Sequence, residues 1–445
     1  MKIFFVSLGC DKNLCDSEMM LGTLSKEGFE ITDDENEADV CVVNSCSFIS
    51  DAKEESINTL IELGRLKETG RLKGLVCTGC LAERYGREIR ESLPEVDCIV
   101  GTMAIDEIVN AVKAAYNGEK KDFLKPIDGS LICGLPRLLT TGGHYAYLKI
   151  AEGCNKHCTY CAIPSMRGKF RSVPMEILVH EASELAERGV KELIIVAQES
   201  TLYGVDLYGS KKLHVLLRKL SEIEGIKIIR VLYCYPEEIT DDLIGEIKNN
   251  SKIAKYLDIP TQSGSDRVLK RMGRNTTKAE LLNLIKKLRS EIPDICLRTT
   301  LISGFPGETH SDFKETLDFV KKASFDRLGV FAYSREEGTA AARMGSQRPE
   351  FIKKHRRNVI MRTQQAISFE KTAGKVGKKF DVFVEGRMPE DNVYVCRTYM
   401  DAPNVDGFLF LETGRELMSG DIINATVTGA KEYDLTGVPT DEFTE

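Results

Sequence analysis

Three cysteines fall within eight residues, Cys154-Asn-Lys-His-Cys158-Thr-Tyr-Cys161. Intervals of three and then two residues let thiolates wrap one face of a cube-shaped iron–sulfur cluster, for which thiolates are the usual ligands. Three ligands leave a fourth iron open to a small molecule. The alternative is a structural zinc site, which needs a fourth ligand in closed tetrahedral geometry; His157, inside the loop, is the candidate. Cys10, Cys46 and Cys80 are distant in sequence but share a setting, each just past a strand-like run: KIFFVSLGC, VCVVNSC and GLVCTGC. In an open parallel sheet, ligands bind beyond the carboxyl ends of the strands, so these three thiols can converge. Cys41 and Cys77 lie inside such runs and read as packing residues. Cys15, at an expected helix start, is not counted with the set.

The elements that must position these residues alternate. Strands are expected at 2–8, 40–44, 74–78 and 98–100, with helices at 16–27, 51–63 and 83–91. This pattern implies a parallel sheet covered by helices. A less periodic stretch, 118–143, marks a boundary. A second series follows, with strands at 146–151, 192–197, 227–233, 256–259, 296–302 and 328–332 and helices such as 174–188 and 278–291. Six βα units are fewer than the eight of a closed barrel, so an open, partial barrel is expected. Its cysteine loop follows the first strand, on the face where such barrels build active sites. A polar, basic helix is expected over 349–371, with Lys353–Arg357 on a solvated face or, as the alternative, in contact with ribosomal RNA. Short strands at 380–385, 393–398, 407–411 and 421–429 then suggest a small β-barrel. The expected domains are 1–135, 140–370 and 371–440.

Bulk properties narrow the class. A chain of 445 residues exceeds one hydrophobic core. Apolar runs such as Leu193–Ala197 are too short to span a bilayer, and the N-terminus shows no cleavage pattern of a secretory signal. A cytoplasmic protein without membrane contact is expected. There the fourteen cysteines bind metal or pack rather than pair. The net charge of −7 lies entirely in residues 374–445, which hold seven Lys/Arg against fourteen Asp/Glu.

The flanked motif YLKIAEGCNKHCTYCAIPSMRGKFRS resembles the radical S-adenosylmethionine superfamily. The resemblance implies a 4Fe-4S cluster on Cys154, Cys158 and Cys161 whose open iron binds S-adenosylmethionine, with Tyr160 packing near its adenine. The run from Arg298 to the Gly304-Phe-Pro-Gly turn resembles the superfamily's adenine-contacting strand. Gln198 and Gln262, which also follow strands, are further candidate cofactor contacts. The runs GCDKNLCDSE, VVNSCSFISDAKEESI and TGCLAERYG look like the N-terminal domain of methylthiotransferases, a family with this domain, a radical barrel and a C-terminal TRAM β-barrel. Position by position, Cys10, Cys46 and Cys80 match the family's ligands to a second, auxiliary 4Fe-4S cluster. The chain departs from the family at Asp11, usually Pro, at Ser45-Cys46-Ser47, usually Thr-Cys-Gly, and at Gln262-Ser263, usually Gln-His. None of these removes a cysteine.

Two substrates compete within the family: an adenosine of transfer RNA, and an aspartate of ribosomal protein S-twelve in the RimO branch. AKEESI, AQESTLYGVDLYG, VLYCYPEEIT, YSREEGT and DAPNVDG resemble the second. The acidic C-terminal segment, with Glu385, Glu390, Asp391, Asp401 and Asp406, is expected to repel phosphate and suit a basic protein. The resemblance thus implies β-methylthiolation of an aspartate of S-twelve, within the small ribosomal subunit, aided by an electron donor and a sulfur source. A transfer-RNA methylthiotransferase is the rival. An iron–sulfur carrier or RNA-binding module is the non-catalytic one.

Overall fold

The computed structural model describes residues 1–389 and 392–442. Strands β1 (Lys2–Ser7), β2 (Glu30–Thr32), β3 (Val40–Ser45), β4 (Gly74–Gly79), β5 (Cys98–Val100) and β6 (Lys121–Phe123) form one parallel sheet in the order β2-β1-β3-β4-β5-β6. Helices α1 (Asp11–Lys26), α2 (Ser50–Glu68), α3 (Cys80–Ser92) and α4 (Ile108–Tyr116) connect them. The central strands β3 and β4 are buried along their whole length, as helices on both faces require. Cys41 and Cys77 are fully buried in the core beneath α2 and α3.

Helix α1 begins five residues earlier than expected, so Cys15 lies within it, fully buried, its thiol directed at the Tyr147 carbonyl at 3.6 Å. Strand β6 falls inside the stretch expected as a boundary, and residues 124–144 are the irregular connection.

The second sheet runs in chain order: β7 (Tyr145–Lys149), β10 (Glu192–Val196), β11 (Ile228–Val231), β12 (Ile253–Asp258), β13 (Cys296–Ser303) and β14 (Arg327–Ala332). All neighbours are parallel and the first and last strands do not pair, so the barrel stays open. The short strands β8 (Ala151–Glu152) and β9 (Arg171–Ser172) pair antiparallel and pinch the ends of the cysteine loop, within which lies the one-turn helix α5 (Pro164–Arg167). Helices α6 (Met175–Glu187), α7 (Val205–Tyr208), α8 (Leu213–Ser221), α9 (Asp241–Asn249), α10 (Asp266–Arg271), α11 (Lys278–Glu291) and α12 (His310–Ala323) fill the crossovers. Capping boxes at Thr277/Glu280 and Thr309/Asp312 start α11 and α12 where the polar pattern turns apolar. Helix α13 (Glu350–Ala373) packs on β14. Its expected solvated face is partly buried: Lys353 and Arg356 pair with Glu350 and Glu308.

Strands β15 (Lys379–Arg387), β16 (Val393–Arg397), β17 (Leu409–Glu412), β19 (Leu435–Pro439) and β18 (Ile422–Ala430) close a five-stranded barrel in that order. One apolar cluster joins its interior to Tyr145, Tyr147, Ile194, Val196, Tyr256 and Cys296 of the partial barrel. Charge completes the contact. Arg230 and Arg397 grip Glu192 at 2.9 and 2.8 Å. Arg327 pairs with Asp401, Arg298 approaches Asp406 at 3.4 Å, and Glu385 meets Arg397 and His144 at 2.6 and 3.1 Å. This narrows the reading of an acidic binding surface: Asp401, Asp406 and Glu385 are consumed in docking the barrel, Glu390 and Asp391 lie outside the described residues, and Asp381, Glu412, Glu416, Glu432 and Asp441 remain exposed. Among the described residues, no helix is long and apolar enough to cross a membrane.

Candidate active site

β1, β3 and β4 are neighbours in the first sheet, and Cys10, Cys46 and Cys80 follow them directly. Two glycines let the loops approach. Gly9 has φ +91°, and a Cβ there would sit 2.8 Å from both Cβ and Sγ of Cys46. Gly79 has φ +89°, and its Cβ would sit 2.2 Å from Asn44 Oδ1. The organising side chain is the fully buried Asn13, which sequence reasoning passed over. Its amide donates to Leu8 and Ser45 carbonyls, both at 3.0 Å, and its Oδ1 accepts from Cys80 Sγ at 3.7 Å. One residue thus ties together the three cysteine-bearing loops. Ser56 Oγ accepts the Cys46 N–H at 2.9 Å, and Ser47 Oγ donates to the Cys80 carbonyl at 3.1 Å.

In the barrel, the chain leaves β8 through Gly153 (φ +77°), where a Cβ would strike the Lys169 carbonyl at 2.1 Å. Cys154, Cys158 and Cys161 then line a short loop. The amides of Lys156 and Ile163 donate to Cys154 and Cys161 Sγ, both at 3.4 Å, and Tyr235 Oη lies 2.8 Å from Cys158 Sγ. Arg274 stacks on the Tyr235 ring at 3.9 Å. These donors suit thiolates. Burial pushes the Cys46 and Cys161 thiols up to about 12 and the Cys154 thiol up to about 11, so binding iron at neutral pH releases protons. His157, which a zinc site would recruit, is exposed. Among the described residues, no three His, Cys, Asp or Glu side chains stand close enough to hold a single ion; a cubane cluster spreads its thiolates over separate irons.

The two cysteine sets stand side by side. Cys80 packs against Ala162 and Met166, the residues that follow Cys161. Arg167, 2% exposed, closes the seam: it bonds Asn13 Oδ1 and reaches Asp16 at 2.6 Å and Glu152 at 3.2 Å. Lys149 completes the network by bonding Asp16 and, at 2.8 Å, Glu152. On the far side, Arg84 pairs with Glu336 at 3.1 Å and Ser50 meets Ser334 at 3.2 Å.

The other candidate residues ring the barrel mouth. Gln198, just past β10, donates to Glu152 at 2.7 Å and leaves its buried Oε1 without a partner. Gln262, past β12, has φ +67° and another buried Oε1 without a partner. Glu199 adds a third orphaned acceptor, Oε2; burial pushes its carboxyl up to about 7. Unpaired buried acceptors at one mouth fit a ligand rich in N–H and O–H donors, as S-adenosylmethionine is. Tyr160 packs on the cluster that contains Phe305, beside Gly304. At Gly304 (φ +73°) the missing Cβ makes room for Lys353 of α13, 2.5 Å away. Arg298 is anchored by Asp258 at 2.9 Å. Glu199, Tyr235 and Arg167 carry no local sequence signal; their roles come from what the fold sets beside them.

Models of known families match in three places: the radical SAM superfamily over residues 148–320, the uncharacterised protein family UPF0004 over residues 2–101, and the TRAM domain over residues 376–439. The chain is 56% identical over 437 residues to the ribosomal protein uS12 methylthiotransferase RimO of Lachnoclostridium phytofermentans, covering 98% of this chain and 99% of the relative. It is 52% identical to the protein of that name from Pelotomaculum thermopropionicum, covering 98% of each. The likeness to the one from Clostridium botulinum (strain Hall) is 49%, covering 100% and 99%. Among solved structures, the radical S-adenosylmethionine methyltransferase TsrM of Kitasatospora setae, with cobalamin and a [4Fe-4S] cluster bound, has a TM-score of 0.54 at 14% identity, covering 76% of each chain. The cobalamin-dependent radical enzyme OxsB, with aqua-cobalamin and S-adenosylmethionine bound, has a TM-score of 0.53 at 15% identity, covering 77% of this chain and 54% of that one. At such identities these two likenesses concern the fold alone. The full-length identity decides the family: this chain belongs to the RimO family of radical S-adenosylmethionine methylthiotransferases.

Proposed function

We propose that the enzyme methylthiolates the β-carbon of an aspartate in ribosomal protein uS12, using two 4Fe-4S clusters held by Cys10, Cys46 and Cys80 and by Cys154, Cys158 and Cys161. The observation that carries this reading is the adjacency of the two cysteine sets, with Cys80 packed on Ala162 and Met166. A reaction that activates carbon at one site and brings sulfur from another requires such a shared chamber. When bound, the barrel cluster supplies the electron that splits S-adenosylmethionine into methionine and a 5′-deoxyadenosyl radical, and the N-terminal cluster supplies sulfur. At the substrate, one β-hydrogen of aspartate is replaced by a methylthio group whose methyl comes from a second S-adenosylmethionine.

The chain's own residues hold and shield. Gln198, Gln262 and Glu199 offer their free acceptors to the cofactor's donors. Tyr160 lies against its adenine, and Gly304 turns the chain at the end of β13 beneath it. Tyr235 and the loop amides stabilise the thiolates. Arg167 and its carboxylate partners seal the seam and exclude bulk water from the chamber. The substrate, a component of the small ribosomal subunit, places the enzyme in the cytoplasm with an electron donor and a sulfur source.

Mass spectrometry of uS12 and of bulk transfer RNA from a strain lacking the gene tests the substrate. Loss of the methylthio mass from uS12 alone is expected; loss from transfer RNA with uS12 unchanged overturns the reading. Iron analysis of the anaerobically reconstituted protein tests the cluster number: about eight irons per chain are expected, and about four overturn the two-cluster arrangement.

A further inference from the structure

Nine Lys and Arg residues are buried among the described residues, and eight of them form a salt bridge. The ninth is Lys12, 5% exposed. Its ammonium lies 3.4 Å from the centroid of the Tyr233 ring. The adjacent carboxylate, Asp11, accepts the Tyr233 hydroxyl at 2.9 Å and stands beyond salt-bridge distance of Lys12. Cys10 and Asp11 act on this ammonium only from beyond salt-bridge distance; a buried ammonium with no salt bridge is costly, and an aromatic face compensates it only in part. An arriving anion completes the site.

The position is as telling as the missing partner. Lys12 is two residues past Cys10, on the first turn of α1. Tyr233 lies just past β11, at the barrel mouth, with φ +59°, a strained conformation for a bulky residue. Two residues further on, Tyr235 touches Cys158. The segment 233–235 therefore spans the gap between the two cysteine sets, and Lys12 projects into that gap.

We propose that Lys12 is a specificity-determining residue that binds the side-chain carboxylate of the substrate aspartate; this rests on the aspartate reading above. In aspartate the β-carbon is bonded directly to the side-chain carboxylate, so gripping the carboxylate fixes the reacting carbon within one bond. A neutral asparagine, identical in shape, loses the charge-assisted contact.

The test uses the reconstituted full-length enzyme and full-length uS12 in two forms: wild type, and one with the target aspartate, located by its mass shift, replaced by asparagine. Wild-type enzyme is expected to favour the aspartate form. Lys12→Met is expected to raise KM for that form about 10- to 100-fold and to abolish the preference over asparagine, with iron content and the electron paramagnetic resonance of the reduced clusters unchanged. Lys12→Arg, which keeps the charge, is expected to retain the preference. An undiminished preference in Lys12→Met overturns the proposal. So does loss of iron or an altered cluster signal in that variant, which makes Lys12 a support of the neighbouring cluster. If wild-type enzyme modifies transfer RNA and neither form of uS12, the aspartate reading itself has failed.

Discussion

Replacing Arg167 by methionine keeps the volume at the seam and removes the charge. Asp16 and Glu152, 3% and 4% exposed at their side chains, then face each other with Lys149 as the sole remaining cation of the network. Three routes give the magnitude. Removing one partner of a buried ion pair costs about 3–5 kcal/mol. Two unit charges 4 Å apart at an effective dielectric of about 20 interact by about 4 kcal/mol. Glu152 gives the third: burial works against its charge, yet Lys149 and Arg167 hold its carboxyl down at about 2, against 4.5 for a free glutamate. That depression is worth about 3 kcal/mol at neutral pH, a contribution lost as pH falls from about 4.5 through 2, and because Lys149 supplies the larger part of it, it bounds the share of Arg167 at Glu152 from above. Arg167→Met is therefore expected to destabilise the contact between the N-terminal domain and the barrel by about 3–4 kcal/mol. The assay is urea denaturation followed together with limited proteolysis of the connection 124–144, which is cut when the domains part. Adding Asp16→Asn, which removes one stranded carboxylate and leaves Glu152 paired with Lys149 at 2.8 Å, is expected to recover most of the loss. A shift below about 1 kcal/mol for Arg167→Met, or no recovery in the double variant, refutes the reasoning.

Tyr235→Phe removes the hydroxyl 2.8 Å from Cys158 Sγ; a more negative midpoint potential of the barrel cluster is expected in a redox titration at unchanged iron content, since a lost hydrogen bond raises electron density on sulfur. Gly79→Ala drives a Cβ to 2.2 Å from Asn44 Oδ1 at φ +89°; iron content is expected to fall from about eight to about four per chain while S-adenosylmethionine cleavage persists, and full iron retention counts against the tight approach of β3 and β4. Glu199, held up at about 7 against 4.5 when free, is protonated in the folded metal-free chain but ionised in the unfolded one between those values, so stability falls as pH rises through that window. Glu199→Gln is accordingly expected to be neutral at pH 4 and to stabilise the metal-free protein by up to about 3 kcal/mol at pH 8, and an equal effect at both pH values rules this out.

What could be read in the chain, and what could not, divides along one physical line. Cys154, Cys158 and Cys161 are legible because their spacing is itself the geometry. Cys10, Cys46 and Cys80 are legible because a parallel sheet forces strand ends to one edge, so a repeated local setting stands for proximity. Strands β3 and β4 announce themselves by apolar cores, Val40–Val43 and Leu75–Cys77, whereas β19 does not: Leu435–Pro439 contains Gly437 and ends in Pro439, and only closure of the barrel makes it a strand. The residues that join the sites have no such signature. Asn13, Arg167 and Tyr235 are ordinary polar and aromatic residues whose partners stand 32, 151 and 77 positions away. Charge counting is incomplete for the same reason. It records that residues 374–445 carry excess acid but cannot see that Asp401, Asp406 and Glu385 spend theirs on Arg327, Arg298 and Arg397. Those carboxylates hold the C-terminal barrel against the concave face of the partial barrel and do not form the free acidic surface inferred from composition. Other acids of the segment, among them Asp381, Glu412, Glu416 and Glu432, stay exposed, and beside them the cation of Lys12, which no salt bridge engages, offers a selection by chemistry at the reacting residue itself.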